Sequence, residues 1–121
     1  MNKQFNELKI NKKEIKYNNS DKVRYIGEIL NGVPNGKGIL YANNGDRYEG
    51  EWKNDKKEGK GIFYWNSGNR YEGDFKNDKF EGKGIYYYNN GDRRMGDYLN
   101  DDPIGKHVIL TKNGEVKTDY Y

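Results

Sequence analysis

Side chains able to do covalent or proton chemistry are few in this sequence. His107 is the single histidine, cysteine is absent, and the only serines are Ser20 and Ser67, both in turn-like stretches. No Ser-His-acid set can be assembled from them, and metal sites built on Cys or His are excluded by count. Asp101-Asp102 before Pro103 reads as a short solvated loop, because the EF-hand spacing is missing. Gly-Lys-Gly recurs at 36–38, 59–61 and 82–84. A phosphate loop needs Gly-x-x-x-x-Gly-Lys-Ser/Thr leading into a helix, and a strand pattern follows here instead. No catalytic residue, metal or cofactor is expected, and an enzyme is not. What remains is non-covalent chemistry: aromatics are 15% of the chain and charged residues 34%.

Those residues recur with a fixed period, which sets the architecture. Four 23-residue units follow one another without insertion, at 25–47, 48–70, 71–93 and 94–116. Gly27, Gly50, Gly73 and Gly96 share one column, and Gly36, Gly59, Gly82 and Gly105 another. Gly38, Gly61 and Gly84 form a further column in which His107 stands last, read as a substitution tolerated at the end of an array. Apolar columns are Ile29, Trp52, Phe75 and Tyr98; Ile39, Ile62, Ile85 and Val108; and Tyr41, Tyr64, Tyr87 and Leu110. The apolar fraction is only 32%, below that of a two-layer globule, yet periodic aromatics argue against disorder.

Each unit reads as two strands. In the second, Tyr48-Glu49-Gly50-Glu51-Trp52 alternates with period two, placing Tyr48, Gly50 and Trp52 on one side. Residues 54–59 read as a polar loop ending in Gly, 61–65 as a second strand, and 66–69 as a turn. Gly50 and Gly73 sit mid-strand, where Gly normally weakens a sheet; a neighbouring aromatic ring lying flat over the missing side chain is the expected reason. Together with Trp52, Phe75, Tyr64 and Tyr87 they are assigned structural roles. The abundant Asn is read as compositional bias.

Tyr48-Glu49-Gly50-Glu51-Trp52-Lys53-Asn54, followed by Gly59-Lys60-Gly61 and Tyr64, resembles the MORN (membrane occupation and recognition nexus) repeat. Tyr71-Glu72-Gly73-Asp74-Phe75-Lys76-Asn77, followed by Gly82-Lys83-Gly84 and Tyr87, does so again. The resemblance spans residues 25–121 and implies an all-β fold: a single elongated, twisted antiparallel sheet of tandem β-hairpin repeats, open-ended. It also implies scaffolding, dimerisation, and contact with membranes or partner proteins. Departures cluster at the ends: Ile26, Ile29 and Gly32-Val33-Pro34 in the first unit, and Arg94, Met95, His107 and Leu110 in the fourth. Atypical terminal units suit an array that must cap its core. A capping strand is expected at 117–121, and a degenerate half-repeat strand near 14–18 within the N-terminal flank, 1–24.

That flank carries seven Lys/Arg against three acids, while the whole chain nets only +3. The repeat body is close to neutral, so no nucleic acid is expected. No membrane-length apolar run and no signal-peptide pattern occurs; a cytoplasmic address, with membrane-peripheral contact as an option, is the expectation. Second strands place apolar side chains on both sheet faces. Either curvature and long Lys stems cover the second face, or Phe63, Trp65, Tyr86 and Tyr88, with Leu40, form an exposed aromatic strip for a protein partner. Self-association through that face or a sheet edge is a further option. The acidic column Glu28, Glu51, Asp74 and Asp97 is expected to face solvent. Lys53, Lys56, Lys57, Lys76 and Lys79 would attract anionic lipid at up to ~1 kcal/mol each, together with the basic flank 1–24, and a resemblance of aromatic-glycine repeats to choline- and glucan-binding arrays implies carbohydrate binding as another alternative. The leading expectation is a scaffold that binds a protein partner through the aromatic strip.

Overall fold

The computed structural model describes residues 11–16 and 24–121. Ten strands follow in chain order: β1 Asn11–Lys16, β2 Arg24–Leu30, β3 Val33–Tyr41, β4 Arg47–Lys53, β5 Lys56–Tyr64, β6 Arg70–Lys76, β7 Lys79–Tyr87, β8 Arg93–Leu99, β9 Asp102–Leu110 and β10 Val116–Tyr120. They form one ten-stranded sheet in sequential order, with every neighbour antiparallel. The fold is therefore all-β, a single open ribbon of hairpins, as the repeat pattern and the family resemblance imply. β1 occupies part of the expected half-repeat strand; positions 17 and 18 lie outside the described residues.

One turn is tighter than the sequence suggested. Asn54 and Asp55 have φ of 49° and 70°, as do Asn77 and Asp78 at 50° and 70°. Two successive left-handed residues make a two-residue hairpin turn, whose twist matches the flanking strands. Asn and Asp tolerate that conformation better than other non-glycine residues. The chain re-enters the sheet at Lys56, so 56–59 is strand and not loop. The extra residues are absorbed by an irregularity between Gly50 and Trp52, where Gly59 takes φ 74°. The opposite loops are longer: Trp65 N–H donates to Asn69 O at 3.0 Å and Gly68 N–H to Trp65 O at 3.0 Å, a three-residue hairpin closed by a Gly bulge.

The Asn and Asp side chains are structural, contrary to the bias reading. Asp46 Oδ1 accepts from Asn66 N–H at 2.8 Å, Asn69 Oδ1 from Asn89 N–H at 2.8 Å, and Asp92 Oδ1 from Lys112 N–H at 2.9 Å. On the other edge Asp78 Oδ1 accepts from Lys57 N–H and Asp101 Oδ1 from Phe80 N–H, each at 2.8 Å. Each bond spans about one repeat, so the loops lace neighbouring units together.

A single sheet has no second layer to bury against, and rings supply the core. Tyr25, Tyr48, Trp52, Tyr71, Phe75 and Tyr98 are buried on one face with Ile29. They meet edge to face: Tyr25–Trp52 5.3 Å, Trp52–Tyr48 5.1 Å, Tyr48–Phe75 4.9 Å, Phe75–Tyr71 5.2 Å and Tyr71–Tyr98 5.4 Å between centroids. Such pairs contribute about 0.5–1.5 kcal/mol each beyond area burial. The ring expected over the mid-strand glycine belongs to Tyr48 of the same strand. A Cβ on Gly61 would run into that ring, while one on Gly50 would stand 2.5 Å from Gly61 Cα and 2.7 Å from Tyr48 Oη. The paired glycines Gly50 and Gly61 make the floor on which the phenol lies. Its hydroxyl then donates to Glu51 O at 2.9 Å; Tyr25 donates to Glu28 O at 2.8 Å and Tyr71 to Asp74 O at 3.0 Å.

Candidate functional site

Strand register decides which side chains share the ring face. Tyr48 lies opposite Leu40 on β3 and Phe63 on β5, and Tyr71 opposite Phe63 and Tyr86. Leu40, Phe63, Trp65 and Tyr86 are accordingly half-buried and packed against the core. They are not a bare strip on the far side of the sheet, as the sequence had suggested. They do form a continuous aromatic row: Phe63–Trp65 4.8 Å, Trp65–Tyr86 5.1 Å and Tyr86–Tyr88 4.8 Å. Phe80, unremarked in the sequence, joins the row to the core, stacked on Tyr71 at 3.8 Å and 6.0 Å from Trp65. Its alternation signal is hidden because Phe80 is the repeat equivalent of Lys57, inside the stretch 54–59 read as loop.

The remaining structural assignments divide. Trp52 and Phe75 are core residues, and Trp52 also donates Nε1–H to Gly38 O at 3.1 Å. Tyr64 and Tyr87 lie on the opposite face, half-buried beneath the guanidinium groups of Arg47 and Arg70, at 4.0 and 3.8 Å from the ring centroids.

Among the lysines, Lys53 faces Lys56 and Lys76 faces Lys79 across the two-residue turns, all four exposed. Lys57 differs. Its ammonium sits 5.4–5.7 Å from the Tyr48, Trp52 and Phe63 rings and 3.8 Å from Asp78. It covers the core and is withdrawn from the lysine edge. The acidic column also serves the backbone. Glu28 Oε1 accepts from Lys37 N–H at 2.6 Å and Glu51 Oε2 from Lys60 N–H at 3.3 Å, satisfying donors at the irregularity. Asp74 and Asp97 take Lys60 and Lys83 at 2.5 and 3.7 Å.

His107 is not a tolerated oddity. It is fully buried, its ring lies over Gly96, and its Nε2 meets Asp97 O at 2.8 Å. In the other units a phenol makes that contact with the carbonyl of the equivalent acid. Arg94 replaces that tyrosine, and the imidazole enters from the facing strand to fill its place. Arg94 instead donates to Tyr88 Oη at 3.1 Å, to Asp119 Oδ2 at 3.2 Å and to Tyr121 Oη, fastening β10. The paired exchange was visible as two departures, but nothing in their spacing linked them.

Burial raises the Tyr48 and Tyr71 hydroxyls well above the usual phenol range, with nearby acid charge (Glu51 for Tyr48, Asp74 for Tyr71) adding to it. Burial pushes Tyr98 up to about 12. These hydroxyls hold their protons inside a wall of buried rings. Among the described residues no three His, Asp or Glu side chains gather to hold a metal, and no helix is long and apolar enough to cross a membrane.

No curated protein matches the chain. A family model does: the MORN repeat matches at residues 25–47, 48–70 and 71–93, the three units with a tyrosine in the ring position. Repeats of this kind suggest a scaffold, often associated with membranes or proteins. Three consecutive matches, together more than half of the chain, with boundaries equal to the sequence period and hairpins to fill them, show that the chain belongs to the MORN repeat family.

Proposed function

We propose that this chain is a non-enzymatic adaptor that receives a protein partner on its ring face, along Phe63, Trp65, Tyr86 and Tyr88 with Leu40 at one end. The supporting observation is the unbroken aromatic row beside the core, half-buried and so rigidly presented. Tryptophan and tyrosine anchors held in fixed rotamers lose little entropy when a partner covers them. Wild-type chain and a Trp65→Ala/Tyr88→Ala variant are immobilised and exposed to host lysate. A partner retained by the first and lost by the second, with equal far-ultraviolet circular dichroism, supports the reading. Equal retention removes it.

A second reading has its own observation. The like-charged pairs Lys53/Lys56 and Lys76/Lys79 at the hairpin tips repel each other unless an anion intervenes. Peripheral contact with anionic lipid through this edge would show as salt-sensitive pelleting with phosphatidylserine vesicles. Pelleting unchanged by Lys56→Gln/Lys79→Gln would end it.

A further inference from the structure

The face opposite the rings carries a periodic feature that the ring-face reading leaves unused. Arg24, Tyr41, Arg47, Tyr64, Arg70, Tyr87 and Arg93 lie in cross-strand register, so arginine and tyrosine alternate along the ribbon axis. Guanidinium groups rest on rings at 5.0, 4.0 and 3.8 Å for Arg24, Arg47 and Arg70. Stacking fixes the plane of each fork, and Nε of Arg24 and of Arg47 is buried against the sheet. Their ion pairs are loose: Arg47 meets Glu49 at 3.6 Å and Arg70 meets Glu72 at 3.7 Å, one contact each. Arg93 is exposed, 5.9 Å from the Tyr87 ring centroid, and has no ion pair among the described residues. Arg24 is the tightly held one, 3.0 Å from Glu14.

Beside this row runs an open trough of about 840 Å³, floored by Ile26, Ile39, Ile62 and Ile85. Glu49 and Glu72 alternate with those isoleucines across the strands. The trough's own lining holds no arginine, its charged residues being Glu28, Glu49, Glu51 and Glu72 with Lys37 and Lys60, so the cationic row lies beside an apolar floor marked by carboxylates.

Equivalent arginines are two strands apart, about 9.4–9.8 Å at normal strand spacing. A polyproline-II segment advances ~3.1 Å per residue with three residues per turn, so every third side chain projects the same way about 9.3 Å apart. An extended β-strand repeats its facing side chains at about 6.6–6.8 Å, and two α-helical turns span about 10.8 Å. The polyproline period is the closest fit. We propose that this face binds an extended, polyproline-II-type segment of a partner protein bearing a carboxylate at every third residue, each carboxylate docking on one of Arg47, Arg70 and Arg93. The intervening residues lie over the isoleucine floor and are apolar or proline, because Glu49 and Glu72 oppose a continuous acidic run.

The test uses two fluorescein-labelled peptides of identical composition and the whole 121-residue chain. One has four Glu-Pro-Pro triplets; the other has its glutamates in one block. By fluorescence anisotropy the triplet peptide binds at least about tenfold more tightly, and Arg70→Gln weakens it about tenfold, as loss of one charge-assisted fork predicts. Arg93→Gln, at an exposed position, lowers affinity in the same direction. Equal affinity for both peptides, no binding of either, or triplet affinity unchanged by both substitutions overturns the proposal. So does binding confined to anionic vesicles, which would make the row a lipid contact.

Discussion

The paired exchange in the fourth unit gives a quantitative prediction. His107→Gly removes a fully buried ring and its bond to Asp97 O. Truncating a buried ring and stranding a carbonyl costs about 3 kcal/mol. Arg94→Tyr alone drives a phenol toward the space the imidazole fills and releases Asp119 and Tyr88, for about 1–3 kcal/mol. Independent effects would sum to about 5 kcal/mol. Made together, they rebuild the arrangement of Tyr71 over Gly84. The introduced phenol regains a glycine floor and the Asp97 carbonyl, leaving lost only the bonds of Arg94 to Asp119, Tyr88 and Tyr121, about 1 kcal/mol together. The cycle should therefore show a coupling of about 4 kcal/mol, with the double variant more stable than His107→Gly alone. Urea unfolding followed by tryptophan fluorescence measures all four proteins. Additivity within about 0.5 kcal/mol would refute the claim that imidazole and phenol occupy one site.

Three further outcomes follow from the same packing. Gly61→Ala places a methyl group in the Tyr48 ring and should cost about 3 kcal/mol, read as a lower urea midpoint. Asp78 holds φ at 70° and caps Lys57 N–H; Asp78→Ala should be about 1–2 kcal/mol less stable than Asp78→Gly, since both lose the cap but only alanine strains the turn. Stability should also fall in alkali. Tyr48, Tyr71 and Tyr98 have folded pKa values above the unfolded value near 10, so the folded state holds their protons longer. Their contribution is complete below about pH 10 and declines as pH rises toward the folded values, at up to about 1.4 kcal/mol per pH unit for each tyrosine. A urea midpoint unchanged from about pH 9 to about pH 11 would contradict this.

The period, the strands and the glycine columns were legible because one unit repeats with every side chain in phase. Register across strands was less so. Nothing local says that Phe63 joins Tyr48 on one face while Tyr64 lies with Arg47 on the other, because that depends on the tight turn at Asn54–Asp55 and the irregularity at Gly59. The same gap misplaced Lys57, assigned to a loop that is strand, and hid Phe80, its equivalent in the next unit. Acids such as Glu51 read as solvated surface because their partners are backbone N–H groups freed by a bulge, which leaves no mark in side-chain pattern. His107 looked like tolerance at a chain end because its explanation lies on another strand, at Arg94.

Proton NMR of the glycine Hα resonances probes the central idea most directly, that phenol rings lie on glycine pairs at each repeat. Gly38, Gly61 and Gly84 should have Hα signals shifted far upfield by ring current, with cross-peaks to Tyr25, Tyr48 and Tyr71 respectively, and Gly96 should show the same toward His107. Unshifted glycine signals without those cross-peaks would contradict it.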